Sequence, residues 1–425
     1  MTSSSKKDYS TACPYMWAGV QIATDGGCAP CCMAMQEDDL EWKTQTYNDG
    51  VYGAKWVEGR ELMSQGKWPK ICTICKDNEA LGIRSARERA FSKETFYGFR
   101  GFDNDPKMLT LDIKYSTKCQ LACRMCHPSD SSFVQEQFEN RPVHEWPNFL
   151  RDKWFVPEET IEQKVEFTKR AIENGLTVLK CTGGEPTASV HYMKMIDWII
   201  ENDYQHMLSL ELTTNAVKLS DKFLEKLSQF RKVRFDVSCD GYEASYDYVR
   251  WPAKWTTFKT NLEKLVDLRE RLGEDRINIT LVTICTIYNV FDVRHIQKMA
   301  NDHNIHYRVN TALRPLDSEL NIDFLHDLVV VKLLPMYWYE EKKPIEESYQ
   351  SIKRKIKETV PFDHIEIDDE KKEMYNRLKA AKYNRDKHNQ FIQTTLLLDK
   401  QRNQSYKTLH PEIVKYIDAG PYTDN

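Results

Sequence analysis

The stretch that most constrains this chain is Leu109 to His127, LTLDIKYSTKCQLACRMCH, in which Cys119, Cys123 and Cys126 follow a strand-like run at C-x3-C-x2-C spacing. Three soft thiolates on one short loop suit an iron–sulfur cluster, and three ligands on a four-iron cube leave one iron open to a chelating small molecule. A cluster used only to carry electrons usually takes four cysteines. The same loop read more plainly is a zinc site or a set of unconnected core cysteines.

Composition narrows the setting. The polar start Met1 to Tyr9 has no apolar run behind it, and no stretch approaches the ~18 apolar residues of a membrane span, so a cytosolic (cytoplasmic) chain is expected. Twelve cysteines in that compartment do not read as a disulfide framework. Most of them fall in tight groups, which is how metal ligands are distributed. With 425 residues and 41% hydrophobic content the chain can bury a full core in two or three domains. A net charge of −4 supplies no global basic field and argues weakly against a nucleic-acid partner.

From about residue 106, strand and helix signals alternate, which calls for an α/β fold with a parallel sheet. Candidate strands are Leu109–Lys114, Thr177–Cys181, Leu208–Thr214, Val233–Ser238, Ile277–Cys285 and Ile305–Val309. Six such units are too few for an ordinary eight-unit barrel. Loops at the carboxyl ends of these strands should hold the site. The cysteine loop follows the first strand, Gly183-Gly184-Glu185-Pro186 the second, Thr213-Thr214-Asn215 ends the third, and Ser238-Cys239-Asp240-Gly241 ends the fourth. Two glycines allow close backbone approach to a ligand, and the adjoining carboxylate can accept from an ammonium group. Thr214, Asn215, Ser238, Asp240 and Arg250 offer hydroxyl, amide, acceptor and fixed cation. Asp240 also reads as a turn residue. Cys181, Cys239 and Cys285 read as core residues, with Cys239 the one whose place between Ser238 and Asp240 also suits a hydrogen donor. His127 reads as a surface residue.

Six further cysteines, Cys13, Cys28, Cys31, Cys32, Cys72 and Cys75, lie ahead of the alternating region. Val20 to Thr24 reads as a strand, Asp25-Gly26-Gly27 as a turn, and Cys72-x2-Cys75 as a knuckle before a helical run from Asn78. A unit this small gains from a metal staple, and a zinc ribbon fits the spacing too. Val134 to Glu159, with Trp146 and Trp154, is long enough to be a lid or a surface flap. From Leu316 the pattern is mostly helical. The basic runs at Lys353–Lys357 and Lys371–Lys387 have acidic neighbours, so solvated helix faces are expected first and an RNA or partner surface second.

The cysteine loop with GGEP resembles the signature of the radical S-adenosylmethionine (radical SAM) enzymes. The resemblance implies a partial (β/α)6 TIM-like barrel over 106–315, a [4Fe-4S] cluster on Cys119, Cys123 and Cys126, and S-adenosylmethionine (SAM) cleaved reductively to a 5′-deoxyadenosyl radical. It implies that Gly183, Gly184, Glu185 and Pro186 meet the methionyl amine, that Thr214 and Asn215 offer hydrogen bonds at the strand end, and that Ser238 and Arg250, with Asp240 less certain, meet the ribose or carboxylate. Met125 would cover the adenine or serve as filler. The segment 10–95 resembles the SPASM and twitch auxiliary-cluster modules, which implies a second iron–sulfur cluster on Cys13, Cys31, Cys72 and Cys75, with Cys28 or Cys32 able to replace Cys31. These modules more often follow the catalytic domain; the order here is similar to that of twitch-containing proteins of phage-like genomes. A helical extension over 316–425 has no counterpart. The resemblance implies a peptide or protein substrate and an external reductant of flavodoxin or ferredoxin type. Nucleotide or tRNA modification is the second enzyme reading, and a non-catalytic, zinc-stabilised binding protein the third.

Overall fold

The computed structural model describes residues 8–34, 47–80, 84–96, 102, 105–147, 150, 161–310, 318–325, 374, 377–378 and 380–419. Among these, strands β1 (Gly19–Ile22), β2 (Cys28–Ala29), β3 (Thr110–Ile113), β4 (Val178–Cys181), β5 (Ser209–Thr214), β6 (Lys232–Ser238), β7 (Ile277–Ile284) and β8 (His306–Asn310) form one sheet in the order β2-β1-β3-β4-β5-β6-β7-β8. Every neighbouring pair is parallel except β1 with β2, which is the expected hairpin. The six expected strands of the alternating region are β3 to β8, each within two residues of its expected ends.

Helices α1 (Pro14–Ala18), α2 (Ala54–Met63), α3 (Thr73–Ala80) and α4 (Ala86–Phe91) belong to the N-terminal segment. Helices α5 (Ser132–Phe138), α6 (Ile161–Glu173), α7 (Val190–Glu201), α8 (Asp221–Leu227), α9 (Ala244–Val249), α10 (Trp255–Leu272) and α11 (Val293–Asp302) connect β3 to β8. Helices α12 (Arg385–Arg402) and α13 (Pro411–Asp418) close the chain's described part. Serines start several of them: the Ser131, Ser189 and Ser220 hydroxyls accept from the Val134, Tyr192 and Phe223 amides, satisfying donors a helix start leaves open.

Alternation along the strands separates two faces. Leu179, Leu212, Phe235, Val237, Ile279 and Leu281 are buried on the helix-covered face. On the inner face, Gln21, Asp112, Lys180, Glu211, Arg234 and Asn278 stand in one register row across β1 and β3 to β7. A closed barrel fills its centre with branched apolar side chains; this open one lines it with charge.

The N-terminal segment joins the barrel through this sheet. β1 extends it beside β3, and the buried Lys164 ammonium of α6 donates to the carbonyls of Thr24, beyond β1, and Lys114, beyond β3. The Trp56 indole donates to Gly19 O at 3.1 Å. The helical run expected from Asn78 starts earlier, at Thr73, so Cys75 lies inside α3. The expected lid divides: α5 and Trp146 pack with Ala122 and Leu398 in a small core, whereas Trp154 lies outside the described residues, as do Lys353–Lys357 and residues 371–373, 375–376 and 379 of the second basic run. No described helix is long and apolar enough to cross a membrane.

Candidate active site at the carboxyl ends of the strands

Three motifs far apart in sequence meet beyond β3, β4 and β5. Gly183 and Gly184 have φ of +69° and +53°, values glycine adopts without cost. A Cβ on Gly184 would stand 2.5 Å from Lys118 O, so the GGEP turn lies directly against the backbone of the cysteine loop. Two hydrogen bonds fasten it there, Gly184 N to Asp130 O at 3.0 Å and Glu185 N to Lys118 O at 2.8 Å. Glu185 is 1% exposed. Its Oε1 accepts from Thr187 N, Thr187 Oγ1 and Thr214 Oγ1 at 3.1, 2.8 and 2.8 Å, and its Oε2 from Asn215 N at 2.7 Å. Burial raises its pKa and these donors oppose the rise.

Glu185 therefore ties the second loop to the third. Its carboxylate is nearly spent on the protein, which leaves the backbone of Gly183 and Gly184 as the surface open to a ligand. Asn215 completes the junction: its amide donates to Cys119 Sγ at 3.9 Å and its Oδ1 accepts from Gln120 at 3.1 Å. Thr214 is buried, its hydroxyl committed to Glu185. Pro186 starts the short turn after the motif.

The three thiols of the loop share one field. Burial pushes Cys119 up to about 12, with Cys123 adding to the rise. Burial likewise raises Cys126, helped by Cys123, Asp130 and Cys119. In Cys123 the nearby Arg250 opposes burial. Such thiols ionise only against added positive charge, as a metal supplies. Among the described residues no three His, Cys, Asp or Glu side chains converge on a single-ion position. The fit to a metal group rests on the donor chemistry, the shared loop and this mutual field.

Around the loop lie buried cations. Arg250 pairs with Asp240, whose Oδ1 also accepts from Ile284 N at 2.7 Å, and Arg250 Nε is buried without a hydrogen-bond partner among the described residues. Asp240 thus holds Arg250 in place. Ser238 lies at the end of β6, in register with Val282. Met125 is buried in the main core. Cys181, Cys239 and Cys285 are buried as core residues, and His127 is half-buried with Nδ1 2.9 Å from Ser129 Oγ.

Sequence reasoning missed the back of the loop. Arg124, between two of the cysteines, is fully buried and pairs with Asp399 of α12. It also donates to Gln404 at 3.1 Å and Tyr248 O at 3.2 Å, and lies 3.6 Å from the Tyr248 ring centroid. Arg402, one turn further on α12, donates to Gln137 at 3.0 Å; burial and the nearby Arg124 lower its pKa to about 9. An arginine inside a cysteine loop is a signal that it has a buried partner. Nothing local marks Asp399 as that partner.

In the N-terminal segment, Cys28 is fully buried in the β2 ladder opposite Ile22. Cys31 is raised by burial and then by Cys32, Cys75 and Cys13, and burial pushes Cys13 up to about 12 with Cys75 contributing. Cys13, Cys31, Cys32 and Cys75 therefore form a common neighbourhood. Cys72 is half-buried one turn before Cys75. Arg87 assembles the group: it donates to Glu79 of α3 at 2.9 and 2.7 Å and to Ala12 O at 3.1 Å, next to Cys13.

Residues 113–327, from the end of β3 past β8, match the model of the radical SAM superfamily, half of the chain. The chain belongs to the radical SAM superfamily. It is an enzyme of that superfamily, and membership implies a [4Fe-4S] cluster and SAM. GTP 3′,8-cyclase of Nautilia profundicola is 30% identical over 131 residues, 30% of this chain and 34% of that protein, so the match spans about a third of this relative's length. Streptococcus suis SuiB bound to S-adenosylmethionine shows 14% identity with a TM-score of 0.33 over 59% of this chain and 54% of that one. Native anSMEcpe with bound AdoMet and Cp18Cys peptide shows 17% identity and a TM-score of 0.33 over 54% and 58%.

Proposed function

We propose that this radical SAM enzyme holds a [4Fe-4S] cluster on Cys119, Cys123 and Cys126 and uses it with SAM to modify a peptide or protein. When bound, the cluster and SAM supply a 5′-deoxyadenosyl radical for hydrogen abstraction. The chain's own residues build the mouth around them. Glu185 and Asn215 fix the glycine turn against the cysteine loop, so that Gly183 and Gly184 present backbone groups to the methionyl end of SAM. Arg250, aligned by Asp240, places a cation beside Cys123 and faces the carboxylate or ribose with Ser238. The observation that carries this reading is the junction of Cys119, Glu185 and Asn215, three motif residues from three loops in one hydrogen-bonded unit.

The N-terminal cysteines support a second, auxiliary iron–sulfur cluster of SPASM or twitch type. Cys13, Cys75 and either Cys31 or Cys32 stand together, with Cys72 the fourth ligand implied by the pattern. That module is the basis for a peptidyl substrate. A flavodoxin- or ferredoxin-type reductant in the cytoplasm completes the reading.

Anaerobic reconstitution with iron and sulfide tests it, with iron counting, electron paramagnetic resonance with and without SAM, and a 5′-deoxyadenosine assay. The expected result is roughly eight irons for two four-iron clusters, with a SAM-dependent spectral change and deoxyadenosine that vanish when Cys119, Cys123 and Cys126 are replaced by Ala. Tightly bound zinc and intact SAM would instead mark a metal-stapled binding protein.

A further inference from the structure

The inner face of the barrel opposite the cysteine loop carries a built anion site that none of these roles uses. Asp236 on β6 is 6% exposed and shared by two arginines: Arg234 donates through Nε to Oδ1 at 3.0 Å, and Arg308 on β8 through Nη2 to Oδ2 at 3.0 Å. Their attraction outweighs burial and holds the Asp236 carboxyl well below the usual range, so it stays charged. A guanidinium has five N–H donors in a rigid fork. Each of these spends one on Asp236 and makes no other hydrogen bond among the described residues, so two cations face one anion with donors to spare.

The surrounding wall does not cancel the excess. Lys180 pairs with Asp112 at 3.1 Å, and Lys93, after α4, reaches Glu211 at 3.3 Å. Lys93, Lys180, Asp112 and Glu211 are thus paired among themselves, with Cys32 close to Lys180, and the donors left over belong to Arg234 and Arg308. Arg308, in the middle of β8, lies in the register row of Ser238, through Val282. SAM contacts are drawn from loops after β3 to β6, which leaves the wall of β6 to β8 to the substrate.

We propose that Arg234 and Arg308, which flank Asp236, anchor a carboxylate of the peptide substrate, either an acidic side chain or the terminal carboxylate. This rests on the reading of the mouth as a radical SAM site acting on a peptide, and specifies what that peptide presents. A nucleoside triphosphate brings several negative charges, more than two guanidinium forks already shared with Asp236 can neutralise. The two guanidinium forks suit planar, bidentate recognition of a carboxylate.

The test uses the reconstituted full chain with SAM as bait for a random-sequence peptide library, with labelled GTP in a parallel filter assay. The wild-type protein is expected to enrich peptides with Asp, Glu or a free terminal carboxylate. For the best enriched peptide, R308Q and R234Q should each weaken binding by about tenfold, the scale of a charge-assisted hydrogen bond. D236N, which removes the competing anion, should strengthen it. These opposite directions distinguish an anchor from a folding defect, which weakens binding in all three variants. Enrichment without acidic groups, unchanged binding in both arginine variants, or GTP held more tightly than any peptide and released in R308Q would overturn the proposal. Amidated against free-carboxyl versions of the peptide separate side-chain from terminal capture. Deoxyadenosine formation by the wild-type protein is scored separately: if it occurs and the anchor fails, only the anchor is wrong; if it is absent, the radical reading is wrong.

Discussion

At the barrel mouth the cysteine loop is gripped from both sides by residues distant in the chain, the GGEP junction in front and Arg124 with Asp399 behind. In the N-terminal segment the cysteines are gathered by short helices near in sequence, with Arg87 and Glu79 as the clamp. Both groups contain buried thiols pushed up to about 12. They differ in the charges around the thiols: at the mouth Arg250 and Arg402 oppose the rise that burial imposes on Cys123, whereas at Cys31 burial raises the thiol and Cys32, Cys75 and Cys13 add to it, with Arg87 opposing the rise at Cys13. The mouth thus draws its cations from distant elements, and the N-terminal group from the Arg87 clamp close by in sequence.

Substitutions can break that contrast. The largest effect is expected at the rear of the mouth, where R124A leaves the buried Asp399 carboxylate without its counter-charge, held only by the Tyr248 hydroxyl and the Tyr406 amide, and should cost about 3 kcal/mol in chemical denaturation of the metal-free protein. A loss below about 1 kcal/mol, the scale of an exposed pair, would show that the front junction holds the loop alone.

Next come two glycines, one at each group. G184A combines positive φ with a 2.5 Å approach to Lys118 O and should cost about 1–3 kcal/mol while abolishing the SAM-dependent spectral change. G19A, whose Cβ would stand 2.5 Å from Pro30 O, should instead lower iron retention in the N-terminal group and spare the SAM response. Equal loss of both signals in either variant would mean that the two groups assemble as one unit.

R87A should cost about 1–2 kcal/mol, because its partner Glu79 keeps some contact with water. Iron counting should show selective loss from the N-terminal group. The smallest effect at neutral pH is in titration. With Cys13 and Cys119 raised from 9.0 to about 12, the folded metal-free protein keeps protons that the unfolded chain loses. Their stabilisation is complete below pH 9 and lost as pH rises toward 12. Urea titrations across that range should show the decline, and reconstituted protein, whose thiolates are already ionised, should not show this part of it.

The sequence made the mouth's components legible because each rests on local chemistry. Cysteine spacing, paired glycines and apolar runs ending in polar residues mark strand ends whatever the rest of the chain does. The same locality explains what escaped. That the Glu185 oxygens also accept from Thr214 and Asn215 follows only once β5 brings those residues beside it. Spacing does not place Cys28 in a strand and Cys31 and Cys32 beyond it; that follows from the pairing of β2 with β1. The charged inner row was visible as Asp112 and Lys114, or Arg234 and Asp236, two residues apart, but alternation alone does not say which face is covered by helices. The pairing of β1 with β3 and of Arg124 with Asp399 belongs to tertiary structure and leaves no local trace.

The Arg124–Asp399 pair spans 275 residues of sequence. During synthesis at roughly 5–20 residues per second, the cysteine loop leaves the ribosome roughly 15–55 seconds before its brace exists. Throughout that interval Arg124 lacks its partner, and the thiols stand on a loop open from behind. Metal delivered then would meet an unfinished cradle, so loading belongs after α12 has docked, and the order in which the chain emerges schedules the maturation of the site.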